Sequence, residues 1–379
     1  MNITLKKIKN KKIFCIFKSG RNSRYDLINK GLAPREFFYG MYDLEKKGYN
    51  ILRLTSEFET NKISLKISRI KEILFNYFHK LGLGPSTLKF YLSKFESSNI
   101  IISFTDGLSL TLGYYSNFFK NKDLYLIGCF HCLSDYENRL PKFLRFWSRM
   151  IIKRSIKNLD HLAFFGPADR DYVLDNYKLS KNKTSLIKFG VDTDFWKPSR
   201  KLSEKFIFSI GQDPNRDFET LMNAKVNYPI KIHTSLKLKI PDNNNQIFIT
   251  KGSFYNSSLS DIELKKIYQK ALIVVVPLKD VFQPTGYSVT LQAMACGKPV
   301  ILSKIKGLWA PKILKHNFNC VLVPPGDVDS LQKCINELVS NKNRYSYISK
   351  NARKTVLEHF NLSKANFSVE QIIKKGLIS

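Results

Sequence analysis

The chain has 379 residues, which is long enough for two domains, and 43% of them are hydrophobic, as in an ordinary globular protein. No apolar run approaches the ~18 residues of a membrane span, which argues against a membrane-spanning helix. The formal net charge of +31 is spread along the chain without a zinc finger, an RNP-like motif or a basic zipper, which argues against a sequence-specific nucleic-acid-binding protein.

In the first half of the chain, short apolar and β-branched runs alternate with helical patterns. Strands are predicted at 13–17, 49–54, 100–104, 124–130, 161–165 and 185–189. Helices are predicted near 36–47, 66–80, 108–119, 137–157 and 167–177.

The alternation starts again after about residue 200. Strands are predicted at 206–210, 229–234, 247–250, 272–276, 300–302 and 320–323. Helices are predicted at 217–225, 261–271, 288–296, 327–340 and 344–358, with a further helical spacing at 363–377. Near-continuous apolar strands that alternate with helices indicate parallel sheets covered on both faces. The sequence therefore predicts an α/β fold of two doubly wound, Rossmann-like domains that face each other across a cleft.

The segment 286–301, GYSVTLQAMACGKPVI, combines a glycine turn, an amphipathic helix, a second glycine turn and an apolar strand. Gly297 is placed to cap the end of the helix, and Pro299 prevents the helix from continuing. A helix that starts at a glycine loop points free N–H groups and the positive end of its dipole at the space before it. Such a site suits a phosphate group.

Five blocks of the chain, in order, resemble those of the nucleotide-sugar glycosyltransferases of family 4 (group 1). The blocks are the interdomain segment at 189–198, the first glycine loop of the second domain at 209–216, the helix at 260–271, the donor-binding segment at 286–301, and the strand and loop at 317–327. The resemblance implies a GT-B fold, with an acceptor domain at 1–196 completed by a C-terminal helix at about 360–379, and a donor domain at 197–359.

The resemblance also implies an activity. A sugar would pass, with retention at the anomeric carbon, from a UDP- or GDP-sugar to a glycan or lipid-linked acceptor in cell-surface polysaccharide or glycolipid synthesis. The nucleotide-sugar is then a co-substrate, and no metal or other cofactor is expected.

The chain departs from the family pattern at two places. The family's paired glutamates should fall near Gln283 or Pro284 and at Gln292, and the arginine that usually follows the first glycine of its loop is Gln212 here. Gln292 can still accept a hydrogen bond from a ribose hydroxyl through its amide oxygen. Gln283 can act as a neutral partner of the donor sugar, which Pro284 cannot do.

Carried onto this chain, the family's donor site comprises Gly211, Arg216, Thr285, Gly286, Tyr287, Ser288 and Gln292. Arg216 is the expected partner of the diphosphate, because its forked guanidinium suits phosphate. The alternatives are ordinary: a helix start at Gly286, a surface arginine paired with Asp213 or Asp217, and a solvated glutamine at 292.

Three catalytic residues are expected: Arg216, Gln283 and His131, which ends an apolar strand where parallel folds place ligands. A strand-end histidine bonded to backbone is the alternative for His131. The candidates for the acceptor side are Arg35, Glu36, Asp106 and Gly107. The alternative for each is a purely structural role in a helix start or a turn.

Two short patterns resemble metal motifs without supporting context. Asp192-Thr-Asp194 is formally D-x-D but lies in the interdomain block, so we interpret it as structural. Cys129 and Cys132 form a C-x-x-C with no second pair, so we interpret them as buried thiols, which fits a reducing cytoplasm.

The predicted helix at 137–157 mixes lysine and arginine with aromatic and aliphatic residues. It is either a domain helix with a wet basic side or a surface for an anionic membrane, and both can hold together. We therefore expect a cytoplasmic protein with a possible peripheral position on the inner membrane face, and no specific nucleic-acid partner. The rival to an enzyme is a non-catalytic binding or scaffold subunit, because both glutamates are missing; a nucleic-acid-binding protein is a weaker third alternative.

Overall fold

A computed structural model describes residues 10–17, 21–55, 70, 72–77, 81–95, 98–121, 123–136, 140, 142–199, 204–241, 246–252 and 259–378. The chain divides into two compact units. Unit 1 comprises Met1–Tyr25, Phe38–Lys188 and Ala365–Ser379, and unit 2 comprises Asp26–Phe37 and Phe189–Lys364.

Unit 1 is built on a six-stranded parallel sheet with the order β2-β1-β3-β4-β5-β6. The strands are β1 (Lys12–Phe17), β2 (Asn50–Thr55), β3 (Ile100–Ser103), β4 (Tyr125–Phe130), β5 (His161–Phe164) and β6 (Thr184–Leu186). Strands β3 and β5 are buried along their whole length, as expected for a parallel sheet with both faces covered.

The helices that begin in or belong to unit 1 are α1 (Arg21–Asn29), α2 (Met41–Lys46), α3 (Pro85–Phe95), α4 (Asp106–Tyr115), α5 (Lys142–Asn158), α6 (Pro167–Tyr177) and α12 (Leu362–Ile378). Residues 72–77 are also helical. The predicted helix at 36–47 is broken: a 3-10 turn covers Glu36–Phe38, and Tyr39 and Gly40 both adopt positive φ before α2 begins. The patterns did not predict α1 or α3.

Unit 2 contains a second six-stranded parallel sheet, with the order β12-β11-β10-β7-β8-β9. Its strands are β7 (Ile207–Ile210), β8 (Ile230–Thr234), β9 (Ile247–Lys251), β10 (Ile273–Val276), β11 (Val300–Ser303) and β12 (Val321–Val323). All twelve predicted strands are therefore present, and the prediction of two Rossmann-like parallel sheets is confirmed.

Side-chain caps fix several of the helix starts of unit 2. Ser260 and Glu263 form a reciprocal capping box before one helix, and Asp327 and Asn341 cap two others. The helices are α7 (Phe218–Asn223), α8 (Asp261–Lys270), α9 (Tyr287–Ala295), α10 (Val328–Ser340) and α11 (Lys342–His359).

The strand order of unit 2 reverses between β7 and β10, which are neighbours in the sheet. In open α/β sheets, ligands bind outside the carboxyl ends of the strands at such a reversal. A ligand is therefore expected to bind at the loops that follow β7 and β10.

Candidate functional site

The loops after β7 and β10 are joined by backbone hydrogen bonds. Asp217 donates to the Pro277 carbonyl at 3.0 Å, Lys279 donates to the Asn215 carbonyl at 2.9 Å, and Arg216 forms an antiparallel bridge with Leu278. This pairing holds the loop 211–217 beside the loop 277–286, so residues predicted separately for the two loops come together.

Asp213 links the side chains of these loops. Its Oδ2 accepts hydrogen bonds from Gln283 Nε2 at 2.8 Å and from Thr285 Oγ1 at 2.9 Å. The Gln283 amide oxygen in turn accepts from Asn215 Nδ2 at 3.1 Å. Gln283 and Thr285 are both buried. The amide of Gln283 is thus held in one orientation by a carboxylate that the motif comparison did not identify.

Arg216 is a buried cation with unused hydrogen-bonding capacity. Its side chain is 7% exposed, and its Nε and Nη1 atoms have no hydrogen-bond partner within the described part of the chain. Burial lowers the pKa of the Arg216 guanidinium, although the charge of Asp213 acts in the opposite direction. A buried N–H group without an acceptor is costly, and an arginine fork pairs well with phosphate oxygens. The alternative of a surface ion pair does not fit this burial.

Two glycines make room for that guanidinium. A Cβ on Gly211 would overlap the Arg216 side chain, and a Cβ on Gly286 would lie 3.6 Å from its Nη1. Gly286 also has a φ of 82°, which L side chains rarely adopt, and would meet Val276 at 3.0 Å. The glycines at these two predicted positions are therefore required by packing around Arg216 and, at Gly286, by backbone conformation.

Helix α9 begins directly after Gly286, and no side chain among the described residues caps it. Its first N–H groups and the positive end of its dipole therefore lie beside Arg216, an arrangement that suits an anion. Ser288 is partly exposed in the first turn, whereas the ring of Tyr287 packs 4.6 Å from the ring of Phe189. The packed ring leaves Tyr287 to contribute through its backbone.

Gln292 lies further along α9 and is buried rather than solvated. Its Nε2 donates to Glu36 Oε1 at 3.0 Å, and its Oε1 accepts from the Tyr268 hydroxyl at 3.3 Å. Glu36 also accepts from Trp196 Nε1 at 2.7 Å and from the backbone N–H of Asp192 at 3.2 Å. Burial raises the pKa of Glu36 to about 7.

Arg35 and Glu36 do not group with the first domain, where the sequence placed them. Residues Asp26–Phe37 cluster with unit 2. Arg35 Nε donates to Asp192 Oδ2 at 2.8 Å and its Nη2 donates to Asp192 Oδ1 at 3.2 Å, a bidentate pair. The chain returns to unit 1 at Phe38. The Asp192 carboxylate of the D-x-D pattern is engaged by an arginine, in line with a structural role.

In unit 1, His131 and Asp106 lie together at the carboxyl end of the sheet. Asp106 Oδ1 accepts from the backbone N–H of His131 at 3.0 Å. The His131 ring stacks on Phe165 with centroids 4.3 Å apart, and its Nε2 lies 3.2 Å from the Phe104 carbonyl. A Cβ on Gly107 would collide with the Gly82 backbone, so that glycine is a close packing point.

The motif comparison missed three side chains that organise unit 2: Asp213, Trp196 and Tyr268. Asp213 and Trp196 stand inside the blocks that carry the resemblance, and Tyr268 lies in the predicted helix at 261–271. Their only sequence signal was position within a matched block, and nothing local indicates which side chain each one contacts.

Residues 244–355, which include β10, α9 and β11, match the family model of glycosyl transferases group 1. A stretch of 112 residues is 38% identical to an uncharacterized glycosyltransferase of Methanocaldococcus jannaschii. The stretch 244–355 is thus similar to the glycosyl transferases group 1 family.

Two further relatives match over longer stretches but at lower identity. A second uncharacterized M. jannaschii glycosyltransferase is 22% identical over 260 residues, and the MMP alpha-(1->4)-mannosyltransferase of Mycolicibacterium hassiacum is 22% identical over 237 residues. The matches cover 29%, 64% and 59% of this chain and 27%, 64% and 56% of the three relatives, so the chain spans less than two thirds of each.

Solved structures establish the fold over nearly the whole chain. Sucrose-phosphate synthase from Thermosynechococcus elongatus superposes with a TM-score of 0.72 and 18% identity, covering 97% of this chain and 99% of the other. Anabaena HepE in complex with UDP-glucose superposes with a TM-score of 0.65 and 14% identity, covering 96% and 99%. The fold is GT-B-like, as the resemblance to the glycosyl transferase group 1 family implies.

Proposed function

We propose that the protein is a retaining glycosyltransferase that moves a sugar from a UDP- or GDP-sugar to a glycan or lipid-linked acceptor. The observation that carries the proposal is Arg216, a buried guanidinium with two N–H-bearing atoms unpaired among the described residues, beside the uncapped start of α9. A nucleoside diphosphate supplies the oxygens that these donors lack and the negative charge that both groups favour.

The relatives support a nucleotide donor. The HepE structure was solved with UDP-glucose, and a TarM structure was solved with UDP. Both superpose with TM-scores of at least 0.60. UDP is therefore the first nucleotide to test on this chain, with GDP as the comparison.

The proposed mechanism assigns roles to this chain's own residues. Arg216 and the first N–H groups of α9 would stabilise the negative charge that develops on the departing diphosphate. The Gln283 amide, held by Asp213 and Asn215, would face the donor sugar as a neutral partner. Gln292 would accept a hydrogen bond from a ribose hydroxyl through Oε1. This oxygen has two lone pairs, of which the Tyr268 hydroxyl uses one.

A peripheral membrane position fits the surface of α5. Phe143, Phe146, Trp147 and Met150 follow one stripe of the helix and are 75%, 65%, 59% and 51% exposed. The helix carries six lysine or arginine residues and no acidic residue. Apolar side chains beside positive charge match the interface of an anionic bilayer. None of the helices in the described ranges has the length and hydropathy to span a bilayer. We infer that α5 brings the protein to a surface that carries a lipid-linked acceptor.

Two measurements test the enzymatic proposal. Thermal unfolding with UDP and GDP should show stabilisation of about 2.7 kcal/mol at a nucleotide concentration one hundred times Kd. A panel of UDP- and GDP-sugars should then reveal slow hydrolysis, or transfer to an added acceptor. Nucleotide binding without turnover of any sugar in the panel would favour the binding or scaffold subunit. No binding at all would contradict both.

A further inference from the structure

The segment Asp26–Phe37 completes unit 2 although it precedes most of unit 1 in sequence. Its contacts are specific: the half-buried Arg35 pairs with Asp192, and Glu36, which is 2% exposed, reaches Gln292 and Trp196. A peptide placed only to fill space would not insert a carboxylate so deeply, because a buried charge is costly unless donors surround it.

The surroundings of Glu36 consist of donors. Gln292 Nε2 and Trp196 Nε1 donate to Oε1, and the backbone N–H of Asp192 donates to Oε2. This chemistry fixes the Gln292 amide, because only its NH₂ group can face an oxygen that accepts. The Gln292 oxygen must then point to the other side, where it accepts from the Tyr268 hydroxyl.

We propose that Glu36 is a positioning residue of the donor site, which holds Gln292 so that its amide oxygen, and not its NH₂ group, meets a ribose hydroxyl. The proposal rests on the nucleotide-sugar function given above. The accepting oxygens of this part of the site belong to residue 36, and residue 292 must therefore donate toward them. A carboxylate on α9 is compatible with Glu36 only while one of the two acids carries a proton.

Gln292→Glu tests this relation, because pH switches the variant between two forms. When the introduced carboxyl group at position 292 is protonated, it donates to Glu36 as the amide does. When that group is ionised, two negative charges lie about 3 Å apart. The other titratable groups that act on this place are Asp192, Tyr268, Cys296 and Arg216, and all of them are unchanged in the variant.

The experiment compares wild type, Gln292→Glu, Glu36→Gln and Glu36→Gln/Gln292→Glu, with Gln371→Glu on the exposed side of α12 as the control. Melting temperature and UDP affinity are measured at pH 5.5 and pH 8. Gln292→Glu should resemble wild type at pH 5.5 and lose about tenfold or more in UDP affinity at pH 8. The double variant should lose that extra pH dependence, and the control should follow wild type at both pH values.

A second probe separates positioning from general support. UDP is compared with 2′,3′-dideoxy-UDP, which lacks the ribose hydroxyls. If Glu36 orients Gln292 toward ribose, Glu36→Gln should weaken UDP more than the dideoxy nucleotide and so reduce the discrimination between them. A structural role would weaken both alike, and that result would overturn the proposal.

The two levels of inference fail in different ways. Wild type that binds UDP, together with Gln292→Glu that binds equally well at pH 5.5 and pH 8, would reject the role of Glu36 and leave the proposed function standing. Wild type that binds no nucleotide would reject the proposed function and with it a ribose role for Gln292. A pH-dependent melting temperature in Gln292→Glu would then mark the Glu36 contact as structural.

Discussion

Arg216 should affect stability and binding in opposite directions. Its guanidinium is buried, and Nε and Nη1 are unpaired among the described residues, so the folded protein without ligand bears a desolvation cost that no such partner offsets. Arg216→Met keeps an unbranched apolar stem and removes the charge. We expect equal or higher thermal stability than wild type, and UDP affinity lower by about 1.5–3 kcal/mol, the range for a hydrogen bond to a charged group.

Calorimetry with UDP and differential scanning calorimetry without it check this expectation. Arg344→Met is the matched control, because Arg344 pairs with Glu337 at the surface of the same unit. It should leave UDP affinity unchanged and cost little stability. A stability loss in Arg216→Met without a loss of affinity would show that the guanidinium serves the fold and not a ligand.

Asp169 gives a pH prediction in unit 1. Its side chain is fully buried, Oδ1 accepts from the Ser134 N–H at 2.7 Å, and Oδ2 has no partner in the described ranges. Burial raises the pKa of Asp169 to about 7 from 3.8. A carboxyl group whose pKa is higher in the folded than in the unfolded protein stabilises the fold most at pH values below its unfolded pKa. This contribution is lost as the pH rises through its pKa in the folded protein.

Asp169→Asn should remove that dependence. Urea unfolding at several pH values should show wild type losing stability relative to the variant between about pH 4 and pH 8, by an amount of the order of 1–3 kcal/mol. His161, whose pKa burial lowers to about 4, acts equally on both proteins and cancels in the difference. A difference curve that is flat with pH would contradict the prediction.

At the scale of elements, the start of α9 predicts an effect of Gly286→Ala. The new methyl group would occupy a backbone with φ of 82° and crowd Val276 and Leu278. The left-handed conformation alone costs about 1–2 kcal/mol. Gly326→Ala is the matched control, because Gly326 has a φ of 74° and, among the described residues, open space around its Cβ position.

Both variants should lose stability in urea unfolding, and Gly286→Ala should lose more because it adds crowding to conformational strain. Only Gly286→Ala should weaken UDP binding, since its methyl group would lie beside the Arg216 guanidinium. Equal effects of the two substitutions on UDP affinity would separate the helix start from the nucleotide site.

Helix α5 predicts membrane binding that depends on its exposed stripe. Replacement of Phe143, Phe146, Trp147 and Met150 by serine should reduce co-sedimentation with phosphatidylserine-containing vesicles at least about tenfold, given the apolar area removed. The melting temperature should hold, because the buried side of the helix, at Ser148, Ile152, Ser155 and Ile156, is unchanged. Phe118→Ser, 77% exposed on the same unit, is the control for a generally less apolar surface.

One result of the vesicle assay would contradict this prediction. Wild type that sediments equally with neutral phosphatidylcholine and with anionic vesicles, or with neither, would remove the role of charge in this attachment. The stripe would then be a candidate surface for a protein partner.

Local patterns predicted strands better than helices. A buried parallel strand is a short apolar run, and each such run became a strand within a few residues of its predicted bounds. Helix α1 is mostly polar, RNSRYDLIN, so its sequence lacks the apolar periodicity that predicts a helix. The break before α2 depends on Tyr39, whose positive φ is unusual for an aromatic residue and could not be expected from its type.

On the scale of the molecule, a nucleotide-sugar site within unit 2 predicts that UDP changes amide hydrogen exchange in unit 2 and not in unit 1. Amide hydrogen exchange with and without UDP should show protection concentrated in the loop 211–217 and the first turn of α9. Protection confined to unit 1 elements such as β3 and β4 would place the nucleotide elsewhere.

The candidate site was only partly predictable because its partners are distant in sequence. Family blocks assigned Gly211, Arg216 and Gly286 to two separate loops, and the parallel topology brings those loops together. The Glu36–Gln292 bond joins residues 256 positions apart, and no pattern around either residue indicates the other. Contacts of that range follow from the path of the chain, which local spacing does not record.

That path affects how the protein can be made. Unit 2 combines the early segment Asp26–Phe37 with the later segment Phe189–Lys364. Unit 1 is completed by the segment from Ala365 onward. In that segment the Leu377 carbonyl accepts a hydrogen bond from Lys11, 366 positions away. Loops of such length are slow to close during folding. On the ribosome, the segment Asp26–Phe37 therefore emerges long before its partners Asp192, Trp196 and Gln292 and stays unpacked until they follow. The place of α12 in unit 1 stays unfilled until α12 is synthesised, so both regions are exposed to chaperones in the nascent chain.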